Sequence, residues 1–369
     1  MSNITEIAKK FNFDGEVVQC NPYGSGHINA TYLVVCQNGN RQNRYILQQI
    51  NRGIFPEVGR LMDNINQVTG FLRQKIIQAG GNPLRETLTI VPTIEGKLYY
   101  TDENGDCFRG YLFITDSVSY DLVEKTEDFY HCGVAFGSFQ NRLADFPAGS
   151  LYETIPNFHN TPLRYQTFCN AVTDDAYDRV KEVLAEIAFV TEREGDMSLL
   201  TDQLEKGRLP LRVTHNDTKL NNCMFDVETG KAICVIDLDT VMSGLTAYDF
   251  GDSIRFGAAT AAEDERDLEK VHFSLPLYEA YTKGFLESCG KSLTQAELQS
   301  LPIGAKLMTL ECGMRFLTDY LQGDIYFKTS RPGQNLDRCR TQFKLVTEME
   351  QHWNEMLVLI EKGIRETTV

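Results

Sequence analysis

The sequence predicts an α+β fold of two lobes. An N-terminal antiparallel sheet with one main helix is followed by a mostly helical C-terminal lobe that carries one small β-hairpin. Three observations predict it. The chain has 369 residues, more than one typical core holds. Its first hundred-odd residues alternate short apolar runs with turn residues. From about Ser117 onward, apolar residues recur at helical spacing, broken by a single β-like island at residues 210–240. We set the lobes at residues 1–115 and 116–369.

Each element has its own signal. "EVVQCNPYGSGHINATYLVVC" places two strands around a glycine-containing turn, and "NRYILQQI" is a third strand. Between Pro56 and Gly80, the residues Val58, Leu61, Met62, Ile65, Val68, Phe71 and Leu72 share one helical face. "TIVPTI", "GKLYYT" and "CFRGYLFIT" read as further strands. Helices are expected at "EDFYHCGVAFGSFQNRLADF", at "DDAYDRVKEVLAEIAFVTERE", and over residues 263–289, 294–322 and 336–364. Within the island, "NCMFD" and "AICVID" flank "VETGK", where Gly230 suits a hairpin turn.

Composition excludes several function classes. Apolar residues make up 42% and charged residues 24%, which is ordinary for a soluble globular protein. The net charge of −15, without a Lys or Arg run, argues against a nucleic-acid partner. Any phosphate ligand therefore needs a local positive source. No stretch approaches the ~18 apolar residues of a membrane span, and the N-terminus lacks the apolar core of a signal peptide. Ten cysteines occur without CxxC spacing, so buried free thiols in a reducing compartment are expected, and a cytoplasmic location with them.

The island carries the chemistry. "VTHNDTKLNNCMFD" crowds His215, Asp217, Asn221, Asn222 and Asp226 between apolar runs. With the hairpin turn centred between Thr229 and Gly230, Asn222 would face Asp237. An amide oxygen and a carboxylate so placed suit Mg²⁺, which takes oxygen ligands and keeps several waters. Asp217 precedes them and would accept a proton from an incoming hydroxyl, while His215 would brace the loop. Either Asp or Asn alone is also an ordinary turn former.

The spacing H-x-D-x-x-x-x-N, at His215, Asp217 and Asn222, resembles the catalytic loop of the protein-kinase-like phosphotransferases. Asp237, in "VIDLDT", is similar to their metal-binding Asp. The resemblance implies a two-lobed kinase-like fold with ATP and Mg²⁺ as cofactors. Asp239 stands where that pattern has Gly, and would either meet a second metal or bond the loop backbone. A rival reading takes "DLD" as the metal motif of a sugar-nucleotide glycosyltransferase, which leaves "HNDTKLNN" without a role.

By the same resemblance, Gly24, Ser25 and Gly26 would approach the nucleotide phosphates, with Asn29 in place of the third glycine. The strand that carries a kinase Lys has Gln48 instead. A neutral amide lacks the ammonium's charge, so Gln48 would be a neutral phosphate donor, or Lys219 or Arg52 would supply the cation. The backbone around Ile114, in "YLFITDS", would bond the adenine edge.

Acceptor choice belongs to the helical lobe. Arg315 and Asp319 are four residues apart, which makes them an ion pair or an acceptor-binding pair on one helix face. "THNDTKLNN", "VIDLDTVMSGLTAYDFGDSIRFGA", "RFLTDYLQGDIYF" and "IPNFHNTPLR" together resemble the aminoglycoside-phosphotransferase-like group, and within it bacterial N-acetylhexosamine 1-kinases. That resemblance implies phosphorylation of the anomeric hydroxyl of a small-molecule sugar. Asp217 would be the base, and Arg315, Asp319 and Tyr326 would lie at the sugar. Kinases of an aminoglycoside, choline or homoserine, and a non-catalytic nucleotide sensor, stay open beside it. Oligomeric state is not encoded in any motif.

Overall fold

The computed structural model describes residues 4–24 and 28–368. The chain divides into two compact units. The first comprises Met1–Val118, Gly149–Pro156 and Met224–Met242; the second comprises Ser119–Ala148, Asn157–Cys223 and Ser243–Val369. A single division at 115/116 takes no account of the two later segments that join the first unit.

In the first unit the strands are β1 (Glu16–Pro22), β2 (Ala30–Asn38), β3 (Arg41–Ile50), β4 (Ile90–Val91), β5 (Tyr100–Thr101), β6 (Cys107–Leu112) and β7 (Ser117–Val118). The main sheet runs β1-β2-β3-β6-β4, with β5 on β6, and its pairings are antiparallel. Strand periodicity sorts its residues. Val34, Cys36, Tyr45, Leu47 and Phe108 join Ile7, Phe11 and Phe13 in one apolar core. Ile7 belongs to a short helix, α1 (Ile4–Ala8), that the periodicity did not announce. In the register, Thr31 pairs with Gln48, and Gln48 with Arg109. These three form a polar row across β2, β3 and β6.

Helix α2 (Val58–Gln78) follows the predicted spacing: Val58, Leu61, Met62, Ile65, Val68, Leu72 and Ile76 are buried. A short α3 (Pro83–Glu86) follows, so the sheet is accompanied by more than one helix. Buried Asn64 on α2 explains why later segments join this unit. Its amide nitrogen donates to the carbonyls of Tyr152 (2.8 Å) and Val241 (3.0 Å), and its oxygen accepts from the Tyr152 N–H (3.0 Å).

The hairpin pairs β9 (Cys223–Asp226) with β10 (Ala232–Val235), and β7 lies on the other side of β9. The Asp226 N–H bonds the Lys231 carbonyl (2.9 Å), which sets a register two residues from the expected one. Neither Asn222 nor Asp237 belongs to a strand, so direct strand opposition is not the relation between them. The shift arises because Asp226 builds the turn. Its carboxylate accepts from the Thr229 N–H (2.8 Å) and hydroxyl (2.9 Å), and Arg85 reaches it at 3.0 Å. The Thr229 N–H and hydroxyl, followed by Arg85, hold its acid down to about 2. A depressed carboxylate stabilises above its ordinary value of about 3.9 and loses that contribution as pH falls toward the folded value. Asp226→Asn is therefore expected to be less stable than wild type above pH ~4, with the gap closing toward pH ~2. Urea midpoints across that range check it.

In the second unit the helices are α4 (Thr126–Arg142), α5 (Thr161–Asp174), α6 (Leu184–Thr191), α7 (Leu199–Glu205), α8 (Thr246–Gly257), α9 (Leu275–Cys289), α10 (Gln295–Leu321), α11 (Gln334–Gln351) and α12 (Trp353–Thr368). Strand β8 (Arg212–Thr214) pairs with β11 (Met242–Gly244). Glycines let α4 and α9 touch backbone to backbone. A Cβ on Gly284 would stand 2.2 Å from the Tyr130 carbonyl, and one on Gly133 would stand 2.4 Å from that of Tyr281. α10 starts at a capping box, with Thr294 and Glu297 satisfying each other's N–H groups.

Three predicted helices are shorter or divided. The stretch 174–194 opens with Asp175 and Asp178 at positive φ, and regular helix is confined to Leu184–Thr191. Residues 263–289 are α-helical only from Leu275, behind the Ser274 cap and with Pro276 in the first turn. The last stretch breaks at His352 into α11 and α12. All ten cysteines are free. Among the described residues no helix is long and apolar enough to cross a membrane.

Candidate active site

In the second unit, β8 delivers the chain into the loop 215–218, and α8 grips that loop. Asp249 is fully buried. One of its oxygens accepts from the His215 N–H (2.9 Å) and the Gln140 amide (2.6 Å), and the other from the Asn216 N–H (2.8 Å). Burial pushes its acid upward, against the pull of His215 and these N–H donors. The Thr218 N–H bonds Asp252 (2.9 Å), its hydroxyl bonds the Asp249 carbonyl (2.7 Å), and the Ser253 hydroxyl bonds the Thr218 carbonyl (2.8 Å). Burial would raise Asp252, but Arg255 and Lys219 hold it below its usual range. His215 is fully buried, edge-on to Phe136 and Phe139, with its Nδ1 accepting from the Asp217 N–H (3.3 Å). It braces the loop, as its position suggested.

That grip presents Asp217. Its side chain is 24% exposed, with Lys219 Nζ 2.7 Å from Oδ1. Asn222 Nδ2 donates to the Asp217 carbonyl (2.8 Å) and to Oδ2 (3.1 Å). Those two bonds occupy the amide hydrogens and leave Asn222 Oδ1 as its acceptor end. Lys219 is pushed up chiefly by the Asp217 charge, so it stays a cation beside that carboxylate.

In the first unit, Asp237 is exposed and takes a left-handed backbone (φ +59°), in the turn between β10 and residues 238–240. Such a conformation in a non-glycine residue persists only where the surroundings impose it. Asp239 is buried, and its oxygens are engaged by Arg109 Nη1 and by Asn29 Nδ2 (2.6 Å). Its carboxylate partners are side chains, where bonding to the loop backbone was one of the two roles expected. Arg109 is 1% exposed. Burial works against its charge, but Asp239 and Asp237 hold it well above its ordinary range. Its Nε and Nη2 also donate to Gln48 Oε1 (3.0 and 2.9 Å).

The cation at Gln48 is thus Arg109, from the neighbouring strand. The two candidate cations have these partners. Arg52 donates to the Gly105 carbonyl (2.8 Å), and Lys219 pairs with Asp217. A signal for Arg109 was present: a lone Arg inside the apolar run "CFRGYLFIT" has to be buried with a partner. Asn29, Asp249 and Asp252 were missed because single polar residues in a turn or helix carry no spacing signature.

Of the other nucleotide candidates, Gly24 has φ +78°, a left-handed backbone that glycine adopts readily. Ser25 and Gly26 lie outside the described residues. Ile114 is 7% exposed, and its carbonyl accepts from the Ser117 hydroxyl (2.8 Å).

Also in the second unit, on α10, Arg315 lies over Phe158 (5.2 Å), Tyr326 (5.8 Å) and Phe327 (5.5 Å), with Nη2 3.4 Å from the Tyr326 hydroxyl. Asp319 does not face outward with it. Asp319 is buried and accepts from the N–H groups of Ile325, Tyr326 and Phe327 and from Asn335. It shapes the loop that carries Tyr326, which is 59% exposed. Glu311, one turn before Arg315, bonds His159 (2.9 Å) and Thr161.

In the second unit Asn222 offers an oriented amide oxygen, and in the first unit Asp237 offers an exposed carboxylate; each is the kind of oxygen donor that suits a hard cation. Among the described residues no three His, Cys, Asp or Glu side chains gather into a protein cage.

A model of the phosphotransferase enzyme family, APH, matches residues 19–282. Similar solved structures include an aminoglycoside phosphotransferase from Alicyclobacillus acidocaldarius, at 12% identity and a TM-score of 0.62, covering 97% of this chain and 96% of that one. A choline kinase from Cryptosporidium parvum aligns at 16% identity and a TM-score of 0.56, over 98% and 96% of the two chains. A spectinomycin phosphotransferase in complex with ADP and spectinomycin aligns at 12% and 0.52, over 94% and 98%. At these identities the likeness is one of fold, and the fold is the expected one: α+β, with an N-terminal antiparallel sheet and a helical C-terminal part.

Proposed function

We propose, from the premise that the chain belongs to the phosphotransferase enzyme family, that it transfers the γ-phosphoryl group of ATP to the anomeric hydroxyl of an N-acetylhexosamine. The observation that carries the reading is Asp217: a partly exposed carboxylate held by Asn222 and Lys219 on a loop that buried Asp249 fixes. Asp217 accepts the proton of the acceptor hydroxyl as its oxygen bonds to the γ-phosphorus and ADP leaves. Lys219 offsets negative charge building beside that oxygen. Asn222 and Asp237 would each offer one oxygen to Mg²⁺, and Gln48 would donate an amide hydrogen to phosphate. The bound metal ion supplies neutralisation of the phosphate charge. Little covalent work falls to the protein in such a transfer.

A neutral sugar is favoured over a cationic acceptor by the Arg315 patch. A guanidinium over three aromatic rings suits hydroxyl and amide groups, whereas Arg315 and nearby Arg164 repel a cation, enough to lower Arg164 once burial has acted. Asp319 acts through the loop it shapes. ADP release with N-acetylglucosamine, N-acetylgalactosamine, choline, ethanolamine and an aminoglycoside tests this. The highest kcat/KM is expected for an N-acetylhexosamine. A higher value for an amine acceptor would overturn the sugar assignment and leave the transfer chemistry in place.

A further inference from the structure

The strand position that holds a lysine in the kinase pattern holds Gln48, and a neutral amide is no substitute for a charge. What stands there instead is a continuous polar relay. Thr31 Oγ1 accepts from Gln48 Nε2 (3.0 Å), and Gln48 Oε1 accepts twice from Arg109. Arg109 bonds Asp239, Asp239 accepts from Asn29, and Asn29 Oδ1 accepts from the Asn51 N–H (2.9 Å).

Two features separate this relay from a stability device. A buried ion pair commonly contributes little over an apolar pair of the same shape, so retention of one points to what it places. And the relay runs through Gln48, which the proposed chemistry uses, and through Asp239, in the turn that carries Asp237. Two guanidinium nitrogens face Gln48 Oε1, so the amide cannot flip, and one Nε2 hydrogen remains after Thr31. Asp239 is two residues from Asp237, in the same turn. Asn29 immediately precedes β2.

We infer that Arg109 is a positioning residue for a magnesium–nucleoside triphosphate: it orients Gln48 as a neutral phosphate donor and, through Asp239, fixes Asp237 for the metal. It replaces the kinase lysine by placement, without touching phosphate. This rests on the phosphotransferase reading above.

The test uses calorimetric binding of a non-hydrolysable ATP analogue to the full chain, with excess Mg²⁺ and with EDTA. The readout is the ratio of the two affinities. Arg109→Met combined with Asp239→Leu removes both buried charges together, so neither is left unpaired. The folded double variant is expected to lose about tenfold or more of the Mg²⁺-dependent tightening, within the usual range of coupling between linked groups. A purely structural pair would lower the melting temperature and leave that ratio alone. If the double variant does not fold, Asn29→Ala, at the half-buried end of the relay, is read the same way with a smaller loss expected. A wild-type ratio in a folded variant overturns the inference. A wild-type protein that binds no analogue at all overturns the nucleotide reading itself, which is a different result.

Discussion

Asp217→Asn is expected to lower kcat by about 10²–10⁴-fold, the usual contribution of a positioned general base. The fold should be nearly unchanged. The side chain is partly exposed, and an asparagine oxygen can still accept from Asn222 Nδ2. What disappears is the proton acceptor and the negative partner of Lys219, 2.7 Å away. kcat at saturating MgATP and acceptor, measured beside a urea midpoint, separates the two effects. Turnover within a few-fold of wild type would contradict the base assignment and would place the role of Asp217 in binding.

Asp249→Ala is expected to give the largest stability loss, about 3–4 kcal/mol, from donors left buried without partners at ~1–3 kcal/mol each. The His215 and Asn216 N–H groups lose this acceptor, and the Gln140 amide keeps only its bond to the Val213 carbonyl. The surrounding residues His215, Asn216 and Gln140 are at most 5% exposed, so water cannot easily take the place of the carboxylate. Part of the cost is recovered, because burial already works against the Asp249 charge. A domain has ~5–15 kcal/mol to lose, so the variant should be marginal at 37 °C. A urea midpoint shift at constant m-value measures it. A loss below ~1 kcal/mol, the size of an ordinary substitution, would mean that α8 does not hold the loop 215–218.

The sequence made the larger architecture legible where periodicity was strong. The apolar stripe of α2 and the alternation in β2 and β3 each follow from one face being buried. It failed where a turn was decided by side chains. Asp226 set the hairpin register by bonding Thr229, and Asp175 and Asp178 stopped a helix whose apolar content looked continuous. The candidate site divides the same way. Asp217, Asn222 and Asp237 were candidates because a local spacing marked them. Arg109, Asn29 and Asp249 act through cross-strand or helix-to-loop bonds between residues distant in sequence, and no local pattern encodes such pairing. Asp319 shows the converse. Its spacing from Arg315 was right for a shared helix face, yet its carboxylate turned inward to the backbone of residues 325–327.

Phosphorus NMR of the protein with MgATP and N-acetylglucosamine tests the central claim most directly, because it shows both whether phosphate moves and to which oxygen. The account predicts a new phosphomonoester signal coupled to the anomeric proton, growing as ADP appears, and absent over the same time with the Asp217→Asn variant. ATP left intact, or split only to ADP and inorganic phosphate, across the neutral sugars would contradict it.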